Sequence, residues 1–222
     1  MTQPKKFVDL SHTIFDGLVT YKGLPAPIIC DYLSREKSRE LYAEGTEFQI
    51  GKIEMVANTG TYLDCPFHRY AEGKDLSELT PEQFAELDAV VIRAPYEKQL
   101  AVDASFFRAV DVRGKAVLVQ TDWDAHWNTP NYFSNNPFLT EDAAVYLREQ
   151  GAALVGIDSH NIDDTRGKTR PVHSMLLGAN ILIVEHLCNL RDLPDDGFTF
   201  SAIPPKFQGV GTFPVRALAR IA

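Results

Sequence analysis

Short runs of apolar residues recur along this 222-residue chain and constrain its fold more than any other feature. Residues 89–94 and 115–121 are rich in the side chains that strands favour, and polar or turn-forming segments bound both runs. The runs at 153–158 and 180–185 have the same character, and the second ends in a carboxylate, Glu185. Buried strands interspersed with short helices predict a mixed α/β fold.

Helical segments lie between these strands. Residues 140–150 are amphipathic, have acidic side chains in the first turn and stop before Gly151, which predicts a helix. A solvated helix is expected over 34–43, and a short helix opened by a capping box is expected over 80–87. No linker interrupts the chain, so a single domain covering 1–222 is expected. Outer strands are predicted at 7–11, 48–56, 198–203 and 215–221.

The composition is that of a folded globular protein. Hydrophobic residues make up 45% and charged residues 23%, which is ordinary for a chain with a sizeable core. Thirty acidic residues against 22 basic ones give a net charge of -8, which argues against a nucleic-acid partner. No apolar run approaches the roughly 18 to 20 residues of a membrane span, and the first residues lack a signal-peptide core. We therefore expect a cytoplasmic protein that binds neither nucleic acid nor membrane.

The cysteines and histidines suggest different roles. The three cysteines are widely spaced beside apolar residues, which favours reduced core side chains over disulfides or a zinc knuckle. All six histidines fall in segments predicted to be strand ends or loops, where functional residues often lie.

The densest cluster of candidate functional residues runs from Asn58 to His68. Gly60 permits a turn, Asp64 offers a hard oxygen ligand and His68 offers an imidazole. Side chains at i, i+4 and i+6 on an extended or turning backbone can point into one pocket. A loop with a capping aspartate and a hydrogen-bonded histidine would give the same pattern, so the residues alone leave both interpretations open.

This cluster resembles the signature of the cyclase family of metal-dependent hydrolases, which includes bacterial kynurenine formamidase and isatin hydrolase. The family pattern is H-x-G-T-H-x-D-x-P-x-H, and this chain matches it at Gly60, Thr61, Asp64, Pro66 and His68. The resemblance implies a swivelling β/β/α-type barrel-like core with peripheral helices, assembled as a homodimer or homotetramer. It continues at residues 9–14, 21–23, 156–158, 173–185 and 214–216.

The resemblance also implies which residues form the site. In the family, two histidines and the aspartate of the signature hold one divalent metal. The aspartate also faces a second metal, which a later histidine and glutamate bind, and the last histidine of the signature acts as base or acid. Carried onto this chain, the ligand positions fall to Asp64, His173 and Glu185, and the catalytic position falls to His68.

Two positions depart from the family pattern, because Asn58 and Tyr62 stand where it has its first two histidines. An amide carbonyl is a harder and weaker donor than imidazole, and a phenol with a pKa of about 10 is seldom ionised at neutral pH. Asn58 with Asp64, His173 and Glu185 would form an oxygen-rich set that favours Mn²⁺ or Mg²⁺ over tetrahedral Zn²⁺. We therefore expect the site to hold one loosely bound divalent ion, Mn²⁺ or Zn²⁺, or no ion. Tyr62 would instead donate a hydrogen bond, to a substrate carbonyl or to a carboxylate.

The implied function is hydrolysis of a C–N bond in a small amide or cyclic amide, arylformamidase-like in type. A metal would lower the pKa of bound water, His68 would transfer its proton and Tyr62 would serve as oxyanion donor. Trp123, His126 and His160 follow predicted strand ends and are candidate substrate contacts. The aromatic loop at 123–133 would equally suit a contact with a partner subunit.

Two other classes of function remain open. One is a metal-free enzyme that uses His68 and Tyr62 for cyclisation, dehydration or lactone chemistry. The other is a non-catalytic homologue that binds a small ligand. Turnover, and its dependence on His68 and on added Mn²⁺, distinguishes the three.

Overall fold

The computed structural model describes residues 6–221 of the chain. Residues 1–5 and 222, which the predicted domain 1–222 includes, lie outside the described part. The helices are α1 (Arg35–Leu41), α2 (Glu141–Gln150) and α3 (Pro171–Gly178). The strands are β1 (Lys6–Asp9), β2 (Ile28–Leu33), β3 (Ile50–Glu54), β4 (Tyr62–Asp64), β5 (Leu87–Arg93), β6 (Ala101–Val102), β7 (Ala116–Gln120), β8 (Phe138–Leu139), β9 (Leu154–Ile157), β10 (Leu182–Glu185), β11 (Phe198–Ile203), β12 (Thr212–Pro214) and β13 (Arg216–Ile221).

Nine of these strands form one sheet in the order β1-β13-β11-β5-β7-β9-β10-β4-β12. The central pairs from β5 to β10 are parallel, and the flanking pairs are antiparallel. The sheet curls into a half-barrel with few helices around it. This arrangement confirms the predicted mixed α/β single domain with a barrel-like core.

Both faces of the central strands are buried, which explains their almost continuous apolar sequences. In β7, Val117 and Val119 pack into a cluster that includes residues of α2 and α3. Leu118, between them, points to the opposite face and joins the second cluster, together with Phe200 of β11. Alternate side chains of each central strand thus pack into two hydrophobic cores, one on each face of the sheet.

Two helices begin and end near the predicted residues. Gly151, which follows α2, has a left-handed φ of 76° that glycine adopts without strain. The hydroxyl of Ser34 caps α1 by accepting from the backbone N–H of Lys37. The predicted helix over 80–87 is only a single 3₁₀ turn at Pro81–Gln83, because β5 already begins at Leu87.

α3 was not predicted, and it corrects the expectation that every histidine lies at a strand end or in a loop. His173 sits inside this helix, which Pro171 opens at its first position. Its apolar residues Val172, Leu176 and Leu177 are buried against the sheet. The helix is short and most of its residues are apolar, so its sequence lacks the polar face of a solvated helix.

Outside the main sheet, β2 and β3 form a separate antiparallel pair whose connection contains α1, and we call this pair the β2–β3 hairpin. Its apolar side chains are strongly exposed, including Ile28, Tyr32 and Ile53. Cys30 of this hairpin is also exposed, so the prediction of three core cysteines holds for Cys65 and Cys188 only. Within residues 6–221, no helix is long and apolar enough to cross a membrane.

Candidate metal and substrate site

Strand pairing brings the acidic and hydroxyl groups of the site together. β4 runs antiparallel between β10 and β12, so Tyr62 lies opposite Glu185 while Asp64 lies opposite Thr212. Tyr62 and Asp64 are two residues apart in a strand and therefore share one face of the sheet. His173 reaches the same face from α3.

A cavity of about 290 Å³ opens at this face, near the lower end of the range for small-molecule pockets. Five of the predicted site residues line it, namely Asn58, Tyr62, His68, His173 and Glu185. The lining residues that the sequence analysis did not single out are Tyr21, Leu24, Arg69, Asn161 and Arg170.

Ligating side chains cluster at the floor of the cavity. Ligating atoms of Asp64, His68 and His173 lie within 4.8 Å of one another. His173 Nε2 lies 3.7 Å from Asp64 Oδ2 and also 3.7 Å from Glu185 Oε1. Both separations are too long for hydrogen bonds, and each is close to the distance between two ligands of one ion. Asp64 Oδ2 is buried and has no hydrogen-bond partner among the described residues. A buried carboxylate oxygen without a partner is costly unless a cation compensates it.

Asp163 sets the orientation of the His173 ring. His173 Nδ1 donates to Asp163 Oδ2 at 2.6 Å, which leaves the lone pair of Nε2 directed towards Asp64 and Glu185. The same carboxylate accepts the backbone N–H groups of Val172 and His173 at 2.8 and 3.1 Å. Asp163 was not predicted as a site residue. The sequence offered one signal for it, an aspartate that follows a predicted strand and precedes Pro171 by eight residues.

The charges around His173 call for a cation at this point. Burial alone lowers the pKa of His173, but Glu185, Asp163 and Asp64 more than offset this effect and raise that pKa well above its usual value. Burial also raises the pKa of Glu185. When no ion is bound, a protonated His173 therefore balances part of the carboxylate charge. A divalent ion at this place would supply that positive charge instead and leave His173 Nε2 with the lone pair that a ligand needs. The unpartnered Asp64 oxygen and the His173 imidazole, with Glu185 beside them, therefore fit a divalent cation.

Thr212 connects Asp64 to His68. The Thr212 hydroxyl donates to Asp64 Oδ1, and its oxygen lies 2.7 Å from His68 Nδ1. Because the single hydroxyl proton goes to Asp64, Thr212 accepts from the N–H at His68 Nδ1. The His68 Nε2 lone pair is then free, on a side chain that is 33% exposed. Ligating atoms of Asp64, His68 and His173 lie within 4.8 Å of one another, so His68 can reach a group bound at the ion position.

Tyr62 lines the cavity and holds the Glu185 carboxylate. Its hydroxyl donates to Glu185 Oε2 at 2.6 Å, while the backbone N–H of Ile162 donates to Glu185 Oε1 at 2.6 Å. Burial, reinforced by Glu185, raises the pKa of Tyr62 well above its usual value, so the phenol stays neutral. Of the two hydrogen bonds expected for Tyr62, the structure therefore shows the one to a carboxylate, and its role as oxyanion donor stays a prediction.

The three predicted substrate contacts lie away from the cavity lining. Trp123 donates its indole N–H to the carbonyl of Tyr132 at 3.1 Å, and its ring packs against His126 with centroids 4.5 Å apart. The His160 ring packs on Tyr21 with centroids 4.4 Å apart, and its carbonyl accepts the Tyr21 hydroxyl at 2.9 Å. His160 therefore supports a cavity wall from behind, while Trp123 and His126 pack against each other outside the cavity.

Comparisons with known proteins identify relatives along nearly the whole chain. The chain is 30% identical over 215 residues to kynurenine formamidase from Geobacillus thermodenitrificans, covering 96% of this chain and 97% of that protein. It is 26% identical to kynurenine formamidase from Bacillus anthracis, with 97% of each chain covered. Among solved structures it is similar to isatin hydrolase A from Ralstonia solanacearum, with a TM-score of 0.82, 24% identity and coverage of 98% and 92%.

The fold of a potential metal-dependent hydrolase with cyclase activity is also similar, with a TM-score of 0.80, 23% identity and 99% of both chains covered. Residues 8–164 match the model of the Cyclase family, described as "Putative cyclase". The match spans well over half of the chain and includes the whole signature segment from Asn58 to His68. This chain therefore belongs to the cyclase family.

Proposed function

We propose that this protein is a divalent-metal-dependent hydrolase that cleaves the C–N bond of a small amide or cyclic amide. The observation that carries the proposal is the cluster of Asp64, His68 and His173, whose ligating atoms lie within 4.8 Å of one another, with Glu185 Oε1 3.7 Å from His173 Nε2. The names of the relatives, kynurenine formamidase and isatin hydrolase, support an amide substrate.

Asp64, His173 and Glu185 would hold the ion, and Asn58 lines the cavity beside them as a further oxygen donor. When bound, a divalent ion supplies Lewis acidity to a carbonyl and lowers the pKa of a bound water. The protein contributes the pre-set positions of its ligands. Asp163 fixes the His173 ring, while Tyr62 and the backbone of Ile162 fix the Glu185 carboxylate.

His68 would move the proton. Hydrolysis of an amide adds water to the carbonyl carbon, breaks the C–N bond and requires a proton on the leaving nitrogen. His68 Nε2 accepts the water proton and then delivers it to that nitrogen. Thr212 keeps the required tautomer, because its oxygen accepts from Nδ1, and the Asp64 carboxylate behind it stabilises the imidazolium.

The test compares the wild type with His68→Ala on N-formyl anilines, isatin-like lactams and lactones, with and without added Mn²⁺ or Zn²⁺. Loss of a general base typically costs 10²- to 10⁴-fold, so we expect His68→Ala to lose about that much kcat with unchanged circular dichroism. His126→Gln, at a histidine outside the cavity, is the matched control and should retain activity.

Two results would defeat the proposal in different ways. Negligible bound metal, with no gain in activity on adding Mn²⁺ or Zn²⁺, would rule out the metal-dependent reaction and favour a metal-free enzyme. Absence of turnover in the wild type, with equal ligand affinity in His68→Ala, would indicate a binding protein.

A further inference from the structure

Two arginines line the cavity without an evident role in hydrolysis. Arg69 and Arg170 line the cavity together with His68 and His173, although the chain as a whole carries a net charge of -8. In the described part of the chain, neither guanidinium forms an ion pair. Arg166, a short distance before Arg170 in the sequence, does pair with a carboxylate. Cations that line a pocket and lack a counter-ion are candidates for binding an anionic group of a ligand.

Both arginines are anchored on one side only. Arg69 Nε donates to Ser174 Oγ at 3.0 Å, and that hydroxyl donates to the Arg170 carbonyl at 2.9 Å. Arg170 uses Nη1 alone, which donates to the carbonyls of Gly167 and Thr169 at 3.0 and 2.7 Å and more weakly to that of Asp164. The other guanidinium N–H groups of both residues donate to no partner within residues 6–221.

These contacts fix the two side chains while leaving donors available. The Ser174 hydroxyl ties the Arg69 side chain to the backbone carbonyl of Arg170, while neighbouring carbonyls hold the Arg170 side chain itself. Arg170 is half-buried, which limits the water that can compete for its free N–H groups. A guanidinium presents parallel N–H groups that match the two oxygens of a carboxylate.

We propose that Arg69 and Arg170 form a carboxylate-binding subsite, so that the substrate is a small amide bearing a carboxylate. This inference rests on the hydrolase activity proposed above and adds the chemical class of its substrate. The scissile amide would lie at Asp64, His173 and Glu185, with the carboxylate directed to the arginines. The cavity of about 290 Å³ restricts this substrate to a small molecule such as a substituted single ring.

The test uses N-formylanthranilate, which carries a carboxylate, and formanilide, which does not. We expect the wild type to prefer the carboxylated substrate. Arg69→Gln and Arg170→Gln should each lower the ratio of the two kcat/KM values by about 10- to 100-fold, the usual effect of losing a charge-assisted hydrogen bond. Arg69→Lys and Arg170→Lys keep the positive charge but lack the parallel N–H groups of a guanidinium, so they should give intermediate ratios. These variants also test the subsite if a glutamine variant misfolds. Arg108→Gln, at an exposed arginine elsewhere, should leave the ratio unchanged.

Binding separates this subsite from catalysis. Calorimetry would compare anthranilate with aniline on the metal-loaded wild type and on the arginine variants. If neither substrate is turned over but anthranilate binds more weakly to the arginine variants, the hydrolase proposal fails while the subsite stands. If formanilide is hydrolysed but anthranilate binds all variants as tightly as the wild type, or binds no better than aniline, the subsite is overturned.

Discussion

At the scale of single residues, Tyr62 limits how many groups can bind a cation. Its phenol remains a neutral donor to Glu185, so one imidazole position of the family signature is absent. We expect Tyr62→His to increase the metal retained per chain after dialysis against a weak chelator, measured by inductively coupled plasma mass spectrometry. Tyr62→Phe is the matched control: it adds no donor, and it should lower the free energy of unfolding by about 1–3 kcal/mol because Glu185 loses a buried partner. Equal metal content in the two variants would contradict this role.

Thr212, which no sequence pattern indicates, sets the tautomer of His68. Removing its hydroxyl in Thr212→Val should lower kcat by about 10- to 100-fold, the effect expected for a hydrogen bond to a charged group, with little change in KM. Thr212→Ser keeps the hydroxyl and should retain most of the rate. Steady-state kinetics of both variants on one formanilide would check the prediction, and equal kcat values would refute the tautomer argument.

His12 makes the fold sensitive to acid. Its ring stacks on Trp127 with centroids 4.0 Å apart, and its buried Nε2 has no partner among the described residues. Burial lowers the pKa of His12 to about 4, whereas an unfolded histidine titrates at about 6.5. The unfolded state therefore binds the extra proton first, so the contribution of His12 to stability is lost as the pH falls through this window. His12→Phe should raise Tm and flatten its slope between about pH 6.5 and 4; a slope identical to that of the wild type would disprove the assignment.

At the scale of elements, α3 carries the proposed ligand His173 and is held by one carboxylate. Asp163 accepts two backbone N–H groups of its first turn and the Nδ1 proton of His173. Asp163→Asn should therefore weaken metal affinity by about 10- to 100-fold, the usual effect of losing a group that orients a ligand, and should also lower Tm. Chelator competition would measure the affinity. Asp164→Asn, at the neighbouring carboxylate that pairs with Arg166, is the control and should leave the metal affinity unchanged.

The central strands could be predicted because burial on both faces gives them a continuous apolar sequence, as in β7. β2 could not, because its side chains are mostly exposed and it pairs only with β3. α3 was missed for the opposite reason, since most of its residues are apolar and its first turn is fixed by Asp163, which lies outside the helix.

The candidate site was predictable where one segment carries it and less so where distant segments meet. Asp64 and His68 lie in one signature. Thr212, in contrast, contacts them only through strand pairing, and Arg170 lines the cavity from the start of α3. The aromatic residues after β7 suit a pocket wall and an internal stack equally well. Only the three-dimensional packing of Trp123 on His126 distinguishes the two.

At the scale of the whole molecule, the β2–β3 hairpin lacks a core of its own. Ile28, Tyr32 and Ile53 are 52%, 77% and 61% exposed, and an isolated two-stranded hairpin is marginally stable in water. The aromatic loop at 123–133, where the sequence analysis placed the partner contact, buries Trp123 and Tyr132 within the chain. We propose that the hairpin is covered by a second copy of this chain, in a homodimer or homotetramer.

If the hairpin is the interface between copies, introducing charged residues into it should lower the molar mass of the assembly in solution. Tyr32→Lys combined with Ile53→Lys should shift the mass measured by light scattering from a multiple of the chain to a single chain, because desolvating two ammonium groups opposes burial of the apolar face. Ile203→Lys, at an apolar residue that is 54% exposed on β11, is the matched control and should leave the mass unchanged. Activity should fall with the mass, since Leu24 of the cavity lies on the segment that leads into β2 and loses its support. A single-chain mass for the wild type, or an unaltered mass for the double variant, would show that the hairpin is not the interface.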